Sequence, residues 1–328
     1  MPETEEALPA SASDSTPHQT IDLRHPPAVA SLYLRSLFDR RPGSLKNPDA
    51  AGRVEARIRE VTPAAATLAR YRAVCGFAPS PWLPISFPHV LAAGLHLRML
   101  LSPAFPVRLP GLVHIWHEIE QVQPIPEGVA LEVGSWIDGV TIGSRGAEFC
   151  LHTVVHGDGG VSWKEKTGFL ARHMVPPAEE GGSLTTKSTP KAESKTVSKS
   201  ASNPVSNAAV SPEPEFSQLA RYELAANLGR RYARASGDYN PIHLFRATAR
   251  AFGFKAAIAH GMWSLARCAA TLMPEDESKV RIKVQFRRPL MLPATAVLEA
   301  GPAEASRHFR LFAGDNKTTY LTGLMERI

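Results

Sequence analysis

The sequence predicts an α+β protein in which one long buried helix wrapped by an antiparallel sheet occurs twice. Three observations carry this expectation. Two helical runs, residues 87–101 and 258–272, are apolar on most sides, as helices enclosed by other structure are. Each run is followed by four strand-like segments bounded by turn signals. Between the two sets lies a polar stretch, 176–212, with almost no large apolar side chains, so it cannot bury enough surface to offset its ordering entropy.

Taken in order, residues 1–20 are rich in Ala, Ser, Thr, Pro and Glu and read as a disordered tail. An N-terminal folded segment spans 23–173. Its helical run at 87–101 precedes strands expected at 112–121, 130–136, 148–156 and 163–170, with Gly157-Asp158-Gly159-Gly160 as a turn. The stretch 176–212 is a solvated linker, its lysines spaced by polar residues. The C-terminal segment, 215–328, repeats the plan with strands expected at 280–286, 296–300, 308–313 and 318–324. His89 and His260 both stand at the start of a buried helix. A strand followed by a proline-bounded turn recurs at 121–126 and 284–293. Together these suggest a diverged internal repeat.

With 328 residues the chain is long enough for two domains, and 44% hydrophobic residues is ordinary for a globular protein. No run of 18 apolar residues exists, so no membrane span is expected. The start, Met1-Pro2-Glu3-Thr4-Glu5-Glu6, is acidic and lacks the features of a secretory signal. Cys75, Cys150 and Cys268 are scattered and odd in number, forming neither a disulfide framework nor a metal-binding spacing. A reducing cytoplasm fits these features. Residues 213–328 hold 17 Lys/Arg against 11 Asp/Glu, which accounts for the whole net charge of +6. A cation-rich part suits an anionic partner. No helix-turn-helix, zinc-finger or aromatic RNA-binding signature accompanies the charge, so nucleic acid is not the expected partner.

Chemistry concentrates in Ser236-Gly237-Asp238-Tyr239-Asn240-Pro241-Ile242-His243. Gly237 permits a tight turn, Pro241 stiffens the loop, and Pro241 also restrains Asn240 to an extended conformation. The loop therefore holds a carboxylate and an imidazole five residues apart, as acid–base work requires. An Asx-type turn with His243 opening a helix is the plainer alternative. Downstream, Ala259-His260-Gly261-Met262 lies at the mouth of the second buried helix.

The segment from Tyr232 to His243, with Ala249 after it, resembles the hydratase motif of the MaoC-like, R-specific enoyl-CoA hydratase family. Gly253-Phe254 and Ile258-Ala259-His260-Gly261-Met262 resemble that family's next block. In the N-terminal half, Leu83-Pro84-Ile85-Ser86-Phe87-Pro88-His89, Gly111-Leu112-Val113-His114 and Ile119-Glu120-Gln121 are similar to the motif-free half of two-domain members, the bacterial 3-hydroxyacyl-thioester dehydratases.

The resemblance implies a double hotdog fold with one active site per chain. It implies Asp238 and His243 as the catalytic pair, Asn240 as the residue orienting them, and Gly261 N–H as oxyanion donor with His260 beside it at the substrate. A helix N-terminus has unpaired N–H groups and positive dipole character, which suits that oxyanion role on physical grounds too. Ala269 stands where some single-domain members carry a serine, which puts acyl-chain preference in doubt. Arg287 and Arg288 are candidate phosphate contacts, a solvated strand end being the alternative. The expected reaction is reversible hydration of trans-2-enoyl thioesters to (3R)-hydroxyacyl thioesters, on coenzyme A or an acyl carrier protein. It needs no metal and no cofactor, and homodimer formation is allowed. The motif-free half is expected to wall the acyl-chain tunnel. A hotdog thioesterase and a non-catalytic acyl-CoA-binding protein are the rival readings.

Overall fold

The computed structural model describes residues 18–45, 47, 51–137, 139–172, 216–274 and 279–328. The stretch 176–212, read as a linker, lies outside the described residues, as does most of the tail. One boundary is corrected: the first strand opens at His18, so residues 18–20 belong to the sheet and not to the tail.

The N-terminal half runs β1 (His18–Leu23), α1 (Val29–Ser36), β2 (Arg53–Val61), α2 (Ala65–Cys75), α3 (Pro88–Leu100), β3 (Leu112–Gln121), β4 (Leu131–Ile137), β5 (Thr141–Gly143), β6 (Gly146–Gly157) and β7 (Gly160–Arg172). The C-terminal half follows with β8 (Ser217–Leu224), α4 (Leu228–Ser236), a 3-10 turn at Pro241–His243, α5 (Arg246–Ala251), α6 (Gly261–Leu272), β9 (Val280–Phe286), β10 (Ala294–Ala300), β11 (Ser306–Ala313) and β12 (Thr319–Arg327).

These strands form one sheet in the order β1-β2-β4-β6-β7-β3-β9-β12-β11-β10-β8, with β5 paired to β6. Leaving out β1, the order β2-β4-β6-β7-β3 is matched strand for strand by β8-β10-β11-β12-β9. The internal repeat suggested by the sequence is therefore the plan of the fold. The halves meet where β3 pairs antiparallel with β9, Trp116 opposite Gln285 and Gln121 opposite Val280. Even the turns correspond. Leu83 N–H donates to Ile125 O at 2.8 Å in the first half, and Ala259 N–H to Leu290 O at 2.8 Å in the second.

The expected bounds of β3 and β9 agree with the structure. Both long helices are buried as their composition requires: α3 encloses Ala92, Leu95 and Met99, and α6 encloses Trp263, Leu265 and Cys268. Along β4 burial alternates residue by residue, so one face of the strand meets the core. Core side chains such as Trp163, Tyr71 and Tyr232 are almost fully enclosed, each contributing on the order of 1.5–3 kcal/mol. The helix α6 starts three residues later than the apolar run, because Ile258 bridges to Met291 and His260 is extended at φ −65°, ψ 138°.

Three contacts between elements place the candidate site. The helix α2 packs on α4 and α6, and the Trp263 indole N–H donates to Val74 O at 2.9 Å. The chain leading into α1 crosses α3 at Gly94, where a Cβ would lie 2.9 Å from Pro27 O. At Gly229 in α4 a Cβ would lie 1.9 Å from the carbonyl oxygen of His243, so only glycine lets that helix approach the loop so closely. Among the described residues no helix is long and apolar enough to cross a membrane.

Candidate active site

The loop from 237 to 243 is built by its own sequence. Gly237 ends α4 in the left-handed region at φ 77°, which turns the chain sharply and presents Asp238 immediately after the helix. Asn240 then does two jobs. Its backbone N–H donates to Asp238 Oδ1 at 3.1 Å, and its side-chain oxygen accepts from Ile242 N–H at 3.4 Å, capping the 3-10 turn. Ile258 N–H donates to Ile242 O at 3.1 Å, which stitches the turn to the strand-like approach to α6.

His243 is buried, and its Nδ1 lies 2.9 Å from Ile258 O. A carbonyl only accepts, so Nδ1 carries the proton and Nε2 keeps its lone pair. Burial lowers the His243 pKa while Asp238 opposes that shift, so the ring is neutral at neutral pH. For Asp238, burial would raise the pKa. The neighbouring His260 and His243, the Tyr33 hydroxyl and the Asn240 N–H outweigh it and hold the carboxyl below its usual range. The site thus pairs an ionised carboxylate with a neutral imidazole.

A carboxylate oxygen of Asp238 and a ring nitrogen of His243 lie within 4.8 Å of one another. One water hydrogen-bonded to both can bridge groups up to about 5 Å apart, so the pair lies within its reach. The helix α6 begins at once beside them. Gly261 is its first residue, and its N–H has no acceptor within the helix. A Cβ on Gly261 would sit 3.0 Å from the Phe286 ring, so the missing side chain keeps the helix start close to β9.

His260 departs from expectation. Read as a substrate-side group, it is only 2% exposed. Its Nε2 bonds to the main-chain oxygen of Asp238 at 3.0 Å, and its ring stacks on His243 with centroids 3.7 Å apart. Burial pushes its pKa down to about 3, so it acts as a neutral donor holding the loop from behind.

Sequence reasoning missed Tyr33. Its hydroxyl donates to Asp238 Oδ1 at 2.6 Å, across 205 residues of chain. The donor comes from α1, so the site draws on both halves of the molecule rather than on the C-terminal half alone. Burial, then the Asp238 charge, raise the Tyr33 pKa well above its usual value, so the hydroxyl keeps its proton.

Arg287 and Arg288 lie next in sequence to Phe286 and are not within the Asp238–His243 cluster. With Lys317, Thr318, Thr319 and Thr322 they line an open cleft of about 580 Å³. Arg287 Nε also donates to Thr322 Oγ1 at 3.1 Å. Ala269, the position of the absent serine, is buried in α6. His152 and His156, which alternation places on one side of β6, are half-buried, and His152 lies flat on Trp136 with an interplanar angle of 6°.

Two helix-and-sheet halves with one strand order, sharing a continuous sheet and bearing a carboxylate–imidazole loop ahead of one central helix, define a double-hotdog protein. A family profile for the MaoC like domain matches residues 207–319. The 3-hydroxyacyl-thioester dehydratase X of Mycobacterium tuberculosis is 29% identical over 233 residues, which is 71% of this chain and 75% of the relative. The crystal structure of HtdX from that organism is similar at a TM-score of 0.66 and 26% identity, over 84% of this chain and 100% of that one. A MaoC-like dehydratase from Phytophthora capsici, at TM-score 0.61 and 16% identity, covers 84% of this chain and 95% of its own and shares the fold. The profile match falls on the C-terminal half, and most of the chain is similar to MaoC-like dehydratases.

Proposed function

We propose that the chain is a hydro-lyase that interconverts trans-2-enoyl and (3R)-hydroxyacyl thioesters. The observation that carries this reading is the Asp238 carboxylate and His243 ring nitrogen within 4.8 Å of one another, beside the N-terminus of α6. In the hydration direction that water attacks C3. One member of the pair takes its proton as the C–O bond forms, and electrons move through C2 onto the thioester oxygen. Gly261 N–H and the α6 dipole stabilise the enolate there. The proton taken from water is then delivered to C2 on the same face, so the pair ends unchanged and the addition is syn. Asp238 and His243 titrate as a unit in this scheme. Similarity to the M. tuberculosis dehydratase supports the reaction class.

The thioester carrier is the finer part of the proposal. The cationic cleft at Arg287, Arg288 and Lys317 opens one residue from Phe286, the ring that lies against Gly261. A phosphate-bearing carrier, coenzyme A or the phosphopantetheine arm of an acyl carrier protein, has the charge to match it.

Loss of enoyl absorbance from crotonyl-CoA and longer enoyl-CoAs tests both parts. The expected outcome is hydration to the (3R) product. Release of free thiol from saturated acyl-CoA would point to thioester hydrolysis instead. Tight acyl-CoA binding without turnover would make the chain a binding protein.

A further inference from the structure

The N-terminal half carries its own buried polar cluster, and the proposed hydration chemistry does not use it. The β3–β7 register places Thr167 opposite His117, and Glu165 two residues along on the same face. His89, the second residue of α3, reaches down onto them. Its Nδ1 lies 2.9 Å from Glu165 Oε2, and His117 Nε2 lies 3.4 Å from the same oxygen. The carboxylate of Glu165 is fully buried, while His89 keeps 18% side-chain exposure.

The hydrogen positions leave a conflict in this cluster. Thr167 has a single hydroxyl hydrogen and gives it to Glu165 Oε1 at 3.0 Å. The tautomer that makes the 3.2 Å contact with Thr167 Oγ1 a hydrogen bond carries its hydrogen on His117 Nδ1, with His114 Nε2 3.3 Å away as a second acceptor. In that tautomer the neutral ring has a lone pair on Nε2, a buried atom with no hydrogen-bond partner, facing an acceptor-only carboxylate. Two acceptors face each other in a dry interior, where an unpaired polar group is costly. Burial disfavours the alternative of a charged His117.

A cation removes the conflict. A tetrahedral zinc with bonds of about 2.0–2.1 Å holds neighbouring ligand atoms roughly 3.3 Å apart. The two printed separations, 2.9 and 3.4 Å, bracket that spacing, and all three ligand atoms lie within 4.8 Å of one another. His117 would ligate through Nε2 while Nδ1–H is held by Thr167, the outer-sphere hydrogen bond that fixes a ligating histidine. The partly exposed flank of His89 leaves room for a fourth ligand. The other cluster, Asp238, His243 and His260, meets the same 4.8 Å limit but is wrongly protonated. His260 Nε2, the nitrogen nearest the Asp238 carboxylate, donates to a backbone carbonyl and so has no lone pair to give.

We propose that His89, His117 and Glu165 form a binding site for a zinc-class divalent transition metal. It would pin the start of α3 to β3 and β7, next to the seam between the halves. Metal content of the purified full-length protein is the first test, read by elemental mass spectrometry after dialysis against a weak chelator. About one equivalent per chain is expected, retained by Asp238→Asn and lost by His117→Ala and His89→Ala. The second test needs no variant. Chelator-stripped protein titrated with Co²⁺ should develop the visible bands of a tetrahedral site, saturating near one equivalent. Zn²⁺ should abolish those bands and raise Tm by about 3–8 °C. Less than about a tenth of an equivalent, with no cobalt bands, would overturn the proposal. So would metal retained by His117→Ala or lost from Asp238→Asn. Neither readout depends on the enzymatic reaction, so failure here and failure of the hydration reading are distinguishable.

Discussion

The two halves share one strand order, yet they place their histidines and carboxylates in opposite ways. In the C-terminal half the carboxylate sits on a loop between helices, and Asp238 keeps 32% side-chain exposure. In the N-terminal half the carboxylate sits on a central strand, and Glu165 keeps none. A loop ahead of the central helix can be shaped by a left-handed glycine, a capping asparagine and a proline, so it can hold polar groups beside open space. On β7, between β6 and β3, Glu165 falls on the face that meets the core. The same frame therefore supports a partly open carboxylate–imidazole pair, the proposed acid–base site, at one helix start and a more deeply buried polar cluster at the other.

The sharpest way to break this contrast is to remove the acid–base pair. Asp238→Asn or His243→Ala should lower turnover by roughly 10²-fold or more with the fold kept. Near-normal turnover in either variant would end the proposed mechanism. The next largest effect is steric. In Gly229→Ala the new methyl group would meet the His243 carbonyl at 1.9 Å, so α4 and the loop must separate. Destabilisation of about 1–3 kcal/mol by urea unfolding is expected, together with a fall in kcat from displacement of His243. A variant with unchanged kcat would mean that the loop does not depend on α4 for its position.

How much of this was legible in the sequence depends on the distance between partners. The loop 236–243 was legible because Gly237, Asn240 and Pro241 shape it locally. The strands β3 and β9 were legible because their ends coincide with turn residues. Tyr33 was not. It lies 205 residues from Asp238, on a helix of eight residues whose N-cap, Ala28, makes no side-chain cap. Residues 18–20 read as tail because β1 is an edge strand with one buried residue, Ile21, so it has little hydrophobic pattern. The need for glycine at 229 is set wholly by where the His243 carbonyl falls. His260 was recognised, but its inward turn follows from its N-cap conformation, which no neighbouring residue type announces.

Tyr33→Phe tests whether the N-terminal half contributes to the chemistry or only to the walls. Loss of the hydrogen bond removes one of the groups that lower the Asp238 pKa, so that pKa rises. The acid limb of the pH–rate profile should move to higher pH. At neutral pH kcat should fall about tenfold, the factor for a hydrogen bond worth ~1.4 kcal/mol to a charged group. The stability effect has a defined sign. A carboxyl with a lowered folded pKa stabilises above its unfolded value of about 3.9, and that contribution fades as pH falls through the folded value. Tyr33→Phe should therefore lose stability at neutral pH and converge with the parent protein in acid. An unshifted acid limb with only a lower Tm would make Tyr33 a packing residue.

The smallest effect expected is at the cationic cleft, and it bears on which face of the molecule meets the carrier. Arg287 and Arg288 follow β9, the strand that joins the C-terminal half to β3, so they stand close to the seam. If they hold the phosphates of coenzyme A, Arg287→Ala with Arg288→Ala should raise KM for a CoA thioester by about 3–10-fold and leave kcat unchanged. Uniform binding is lost while the transition state keeps its own contacts. The salt dependence of KM should weaken in the same variant, because screened charge pairs are what has been removed. A phosphate-free pantetheine thioester provides the control, since its KM should not move. An equal KM increase for both thioesters would mean that the arginines shape the β9–β12 end of the sheet instead of binding phosphate.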